Sequence, residues 1–232
     1  MRIDVAFTPA ESAAASTGVV IDVIRATSTI CQALASGYKR VLCAAEVDEA
    51  RMLRRELDGA VLGGERGNLV IPGFDLGNSP REYMEPIGDE LILTTTNGTR
   101  AIIAAAARCD RVFVASLRNL GALVDAVREA GEDAVAVCAG VQGTLALDDA
   151  YVAGRIVSEL DWERSDAAEA AARLAQTWSG AEEAFRASKS GQNLLQNSRD
   201  LEDDLPFCAE ESVLEIVPRF VRMHGPGAEI VA

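Results

Sequence analysis

The sequence predicts a layered α/β/α protein built on a largely parallel or mixed sheet. Three observations carry that expectation. Short apolar runs alternate with segments of helical period along most of the 232 residues. The runs are nearly continuous in apolar residues, as in strands covered on both faces, and do not alternate with polar ones. Hydrophobic residues make up 49% of the chain, enough for a sizeable core between layers.

Taken in order, residues 19–24 form an apolar run broken only by Asp22 and read as a strand, and 29–36 are helical and stop at Gly37. Residues 40–45 read as a strand, 48–57 as a helix and 60–63 as a short strand. ERGNLVIPGFDLGNSP follows at 65–80, without helical period or sustained strand alternation, and glycines and prolines punctuate it as a loop. Leu69, Val70, Ile71, Phe74 and Leu76 make it too apolar for a disordered linker, so it reads as an ordered, functional loop carrying Glu65, Arg66, Asp75 and Asn78. Strands at 91–95 and 112–115 precede helices at 99–108 and 119–130, and a strand at 134–139 precedes a helix at 147–160. Residues 161 to about 205 are rich in Ala, Glu and Arg and mainly helical; 214–217 and 229–231 read as late strands. The expected division is 1–160 as an α/β core with the site and 161–232 as a mainly helical segment and late strands completing the same fold.

Composition excludes several functions. A net charge of −14 argues against nonspecific nucleic-acid binding, which needs a basic footprint. No apolar run approaches the ~20 residues of a membrane span. The N-terminus (Met1, Arg2, Ile3, Asp4) lacks a signal-peptide core, so a cytoplasmic location is expected. A homo-oligomer is compatible with the sequence. Cys31, Cys43 and Cys138 sit in apolar runs and read as small core residues; with Cys109 and Cys208 they form no C-x-x-C pair. The single histidine, His224, lies in a Gly-Pro-rich tail and reads as a surface residue, which argues against a multi-histidine zinc site. A metal, if present, would have Asp and Glu oxygen ligands, suiting Mg²⁺.

Ligands of open α/β sheets collect beyond the carboxyl ends of strands, and three such ends here share a pattern. VVIDVIRATSTI (19–30) leads from a strand to Arg25, Thr27, Ser28 and Thr29. LILTTTNGTRAI (91–102) leads to Thr96, Asn97, Gly98, Thr99 and Arg100. VCAGVQGTLALDDAYVAG (137–154) places Asp148 and Asp149 in the first turn of a helix. Helix-start amides form an anion site, and Arg25, Arg66 and Arg100 are expected to converge on it with forked contacts. Singly, the same hydroxyls are ordinary N-caps, and Asp148 and Asp149 also suit the helix dipole. Asp22 is the sharpest residue: a carboxylate in an apolar run serves a site, pairs with Arg25, or caps the next turn. Glu65 and Asp75 belong with it as candidate catalytic groups. Asp22, Glu65, Asp148 and Asp149 are the candidate metal ligands, and Asn78 joins the binding residues.

IDVIRATSTI, ERGNLVIPGFDLGNSP, TTTNGTRAI, LALDDAYVAGRIV, DLPFCAEES and IVPRF together resemble the 2-phosphosulfolactate phosphatase family, across residues 21 to about 220. Ser28 stands where the family usually has threonine and Asp148 where it usually has glutamate; both changes keep the chemistry. The resemblance implies a family-specific layered α/β fold and Mg²⁺-dependent hydrolysis of (2R)-phospho-3-sulfolactate to 3-sulfolactate and phosphate, a step towards coenzyme M in methanogens. The alternative is a non-catalytic binding or regulatory protein that keeps the phosphate-ester pocket. Carboxylates beside arginines favour the enzyme, because acids repel a dianion unless a cation intervenes.

Overall fold

β-Branched runs become strands and alanine-rich periodic segments become helices in the computed structural model, which describes residues 1–11, 14–197 and 199–232. The strands are β1 (Arg2–Ala6), β2 (Thr17–Ile21), β3 (Arg40–Cys43), β4 (Val61–Arg66), β5 (Leu69–Val70), β6 (Glu90–Thr94), β7 (Arg111–Ala115), β8 (Ala134–Cys138), β9 (Glu163–Arg164), β10 (Arg219–His224) and β11 (Gly227–Val231). The helices are α1 (Ala26–Ser36), α2 (Val47–Glu56), α3 (Gly98–Ala106), α4 (Leu120–Ala130), α5 (Leu147–Glu159), α6 (Asp166–Gln176), α7 (Ala181–Ala187), α8 (Lys189–Asn197) and α9 (Asp204–Ala209). Local signals set several ends. Glu46 and Glu49 form a capping box for α2, the Ser165 hydroxyl accepts from the Ala168 amide at α6, and Gly37 closes α1 in the left-handed region.

The strands form one sheet in the order β5-β4-β6-β3-β11-β10-β7-β2-β8-β1-β9. It consists of two parallel halves, β4-β6-β3 and β7-β2-β8-β1-β9, joined by the antiparallel hairpin β10-β11. The hairpin reverses direction, so the two halves would point their carboxyl ends oppositely if the sheet were flat. Five strand steps separate β6 from β2, and twist of roughly 20–25° per step turns one half towards the other. Both halves contribute to one core around α1 and α3, containing Val20, Val41, Leu93, Val114, Ile30 and Ile102. A second core under α4 to α7 and α9 covers the outer face of the β2 half, and a third under α2 covers the β6 half. The mixed sheet with helices on its faces is the α/β layering expected from sequence.

Several boundaries differ from expectation. The strand predicted at 19–24 ends at Ile21, so Asp22 stands just beyond the strand end. β4 runs on through Glu65 and Arg66 and pairs Glu65 with Val70 and Arg66 with Leu69, so the predicted loop opens as a hairpin. Residues 214–217 form no strand, although Ile216 and Val217 pack against the cores. β1 and β10 went unpredicted. β10 has an exposed pattern that lacks the apolar run of a buried strand, and backbone pairing with β11 and β7 holds it in the sheet. Cys31, Cys43, Cys138 and Cys208 are buried free thiols. Among the described residues no helix is long and apolar enough to cross a membrane.

Candidate active site

The strand twist brings the carboxyl ends of β2, β4, β6 and β8 to one cleft of about 180 Å³. Asp22, Ile24 and Arg25 enter from β2, Glu65 and Asn68 from β4, Thr96 and Asn97 from β6, and Val141 and Gln142 from β8. Asn78 comes from the Gly-Pro loop, and Ser190 and Asn193 from α8. The loop is ordered by Tyr83, which is fully buried and donates its hydroxyl to the Gly77 carbonyl at 2.7 Å. The Gly64 amide donates to the Gly77 carbonyl at 3.0 Å, tying the loop to β4.

Asp22 sits between two helix starts. Its backbone carbonyl accepts from the Thr27 amide at 2.9 Å, its own amide donates to Thr27 Oγ1 at 3.1 Å, and its carboxylate accepts from the Ala26 amide. Gly98 opens α3 against it: a Cβ at that position would lie 2.7 Å from Asp22 Oδ2 and 2.5 Å from the Ala26 Cβ. Only glycine permits this approach. Burial, then the charges of Asp148 and Glu65, push the Asp22 carboxyl up to about 7; the Ala26 amide and Arg25 oppose that only in part.

The other acids are engaged. Glu65 Oε1 accepts from the Thr96 amide and hydroxyl, both at 2.9 Å, and Oε2 from the Asn68 amide at 2.8 Å. Asp149 accepts from the Val23 amide at 2.9 Å and the Gly140 amide at 3.1 Å, so it ties the ends of β2 and β8 together. Burial first, then Asp148 and Asp22, push its carboxyl upward. Asp148 lies behind the cleft wall, accepts from Ser190 Oγ at 3.0 Å, and is pushed up to about 6 by burial. Asn78 is buried at 5% exposure, and its Oδ1 has no hydrogen-bond partner.

Arg25 does not pair with Asp22. Its Nη1 donates to Asp204 Oδ2 at 2.9 Å, and Nη2 reaches Asn68 Oδ1 at 3.5 Å. The expected convergence of three arginines fails. Arg66 turns away to the Glu65 and Ala45 carbonyls and Thr94 Oγ1, and Arg100 pairs with Glu46 at 2.7 Å, about half exposed. Arg66 is an end-of-strand residue whose side chain points opposite to that of Glu65, which is the period-two consequence of β4 extending past Gly64. Asp75 is also outside the cleft: it is exposed and accepts from the Leu62 amide at 2.8 Å, capping β4. Thr27, Ser28 and Thr99 shape the turns behind the wall, Ser28 by donating to the Val23 carbonyl and Thr99 by a reciprocal pair with Thr95.

A family model described as 2-phosphosulpholactate phosphatase matches residues 5–222. The chain belongs to the 2-phosphosulpholactate phosphatase family. A relative from Carboxydothermus hydrogenoformans is 37% identical over 94% of this chain and 92% of its own, and one from Symbiobacterium thermophilum is 39% identical over 91% and 94%. A third, from Thermotoga maritima, is 37% identical over 94% and 95%; all three are named probable 2-phosphosulfolactate phosphatase. In this family member, the cleft also takes groups that sequence reasoning left out: Asn68, Gln142, Ser190, Asn193 and, behind Arg25, Asp204. Asp204 had one signal, an acid heading the otherwise apolar DLPFCA segment. Ser190 had none, because a serine on a polar helix is locally ordinary.

Proposed function

We propose that this protein is a Mg²⁺-dependent phosphomonoesterase that hydrolyses (2R)-phospho-3-sulfolactate to 3-sulfolactate and phosphate. The observation that carries this reading is the charge balance of the cleft. Asp22 and Glu65 line it, Asp148 stands behind, and Arg25 is the sole cation on its wall among the described residues. An anion would be repelled from such a wall unless a cation came with it.

The donor set suits a hard cation. Asp22 and Glu65 offer carboxylate oxygens at the wall, and Asn78, another lining residue, carries a buried neutral oxygen, Oδ1, with no hydrogen-bond partner. Among the described residues no group of three or more His, Cys, Asp and Glu side chains is gathered to hold a metal ion. Mg²⁺ binds through one or two carboxylates and completes its shell with water and phosphate oxygens, so a full protein cage is not required. Asp22 and Glu65 would hold it, with Asp148 acting through its charge and Asp149 as a structural tie. When bound, Mg²⁺ would neutralise phosphoryl oxygens and so lower the barrier to attack at phosphorus and departure of the ester oxygen.

This chain's own residues do the rest. The Nη2 edge of Arg25 presents a donor to a phosphoryl oxygen, and the positive ends of α1 and α3 flank Asp22 where negative charge develops. Asn68, Asn97, Gln142 and Asn193 supply neutral polar contacts for the remainder of a small, highly oxygenated ester. The test is phosphate release from (2R)-phospho-3-sulfolactate and a panel of small phosphate esters, with Mg²⁺ and with a chelator. Mg²⁺-dependent release greatest for the sulfolactate ester is expected. Turnover that survives chelation would overturn the metal, and binding without turnover across the panel would make the protein a binder.

A further inference from the structure

Arg25 is held from behind. Its ion pair with Asp204 spans 179 residues of sequence, and the two side chains are 2% and 0% exposed. The second oxygen of the same carboxylate, Oδ1, accepts from Ser79 Oγ at 2.6 Å, and Arg81 Nη1 stands 3.6 Å from it. Ser79 directly follows Asn78, the wall residue with the unpartnered oxygen. Both oxygens of Asp204 are thus committed, one to the cation of the cleft and one to the segment bearing its amide.

We propose that Asp204 is a positioning residue for the site: its carboxylate, steadied by the Ser79 hydroxyl, fixes the direction of the Arg25 fork. A guanidinium recognises phosphate by direction as well as charge, because its donors lie in one rigid plane. With Nη1 taken by Asp204, Nη2 is left to the cleft residue Asn68, whose Oδ1 lies 3.5 Å away. Asp204 also cancels the Arg25 charge, so its presence opposes anion binding electrostatically and favours it geometrically. The two effects have opposite signs, and an experiment can separate them.

The inference rests on the reading of Arg25 as a phosphate-binding residue, so that reading is tested alongside. Binding of inorganic phosphate, a probe of the product's group, is measured by calorimetry at fixed Mg²⁺ for the wild type, Arg25→Gln, Asp204→Asn and the double variant. Arg25→Gln is expected to weaken phosphate binding about tenfold or more; an unchanged affinity would overturn the reading of the site itself. Asp204→Asn is expected to weaken binding about three- to tenfold when Arg25 is present and by less than about twofold in the Arg25→Gln background, the signature of residues that act as a unit. Tighter binding in Asp204→Asn would show a competing charge only, and equal effects in both backgrounds would show a structural role; either result overturns the proposal. Ser79→Ala keeps the ion pair and leaves no buried charge unpaired, so it carries the same question if Asp204→Asn does not fold. It is expected to weaken phosphate binding about twofold or more when Arg25 is present and not in the Arg25→Gln background; no effect in either would overturn the proposal.

Discussion

Asp22→Asn separates a functional carboxylate from a structural one because the two predict opposite changes in stability. If Asp22 were the partner of a buried arginine, its neutralisation would cost about 3–5 kcal/mol. Arg25 instead keeps Asp204 at 2.9 Å, so the substitution leaves no guanidinium unpaired. What it removes is an unfavourable charge. The Asp22 carboxyl is raised from 3.8 to about 7 by burial and by Asp148 and Glu65. At about 1.4 kcal/mol per tenfold change in proton affinity, ionising it in the folded protein costs at most about 4 kcal/mol. Between these two values the folded state holds the proton more tightly than the unfolded state, so wild-type stability falls as pH rises and levels off above about 7. The asparagine variant lacks this dependence. Denaturant melts in chelator should therefore show nearly equal stabilities near pH 4 and a more stable variant at pH 8. Turnover with Mg²⁺ should fall by about 100-fold or more, the scale for loss of a directly acting group. Mg²⁺ should raise the melting temperature of the wild type and not of the variant. A variant that is less stable at pH 8, or that retains full turnover, would refute the argument.

Other outcomes follow from the same geometry. Mg²⁺ affinity should rise with pH through the region of about 6 to 7, where Asp148 and Asp22 lose their protons, with proton release seen by calorimetry in buffers of different ionisation enthalpy; a flat profile would count against these acids as cation partners. Gly98→Ala places a methyl against Asp22 Oδ2 and Ala26 Cβ, so a loss of about 1–3 kcal/mol in denaturant melts and a fall in turnover are expected. A neutral Gly98→Ala would mean that α3 retreats freely from Asp22. Arg100→Ala removes a half-exposed pair with Glu46 outside the cleft, so kcat/KM within about twofold of wild type and a stability change under about 1 kcal/mol are expected.

The class of fold was legible from the residues alone, because apolar runs and helical periods are local patterns that report burial on one or two faces. β2, β3, β6, β7 and β8 were legible as apolar runs, and α1 through α5 as periodic segments ending at residues such as Gly37. The sequence also pointed to Asp22, Glu65 and Asn78, since polar groups at strand ends or in an ordered loop lack a packing reason of their own. Tertiary structure alone decided which of them meet. Arg66 and Asp75 lie in the same stretch of sequence as Glu65, yet strand alternation in β4 turns Arg66 away, and a backbone amide takes up Asp75. The partner of Arg25 lies 179 residues off, and no local pattern encodes a pairing at that separation. The hairpin β10-β11 sets the two half-sheets in opposition, and accumulated twist then folds their carboxyl ends onto one cleft. Each strand end carries its residues by sequence; their convergence is a property of the sheet, because twist sums over strands that are distant in the chain.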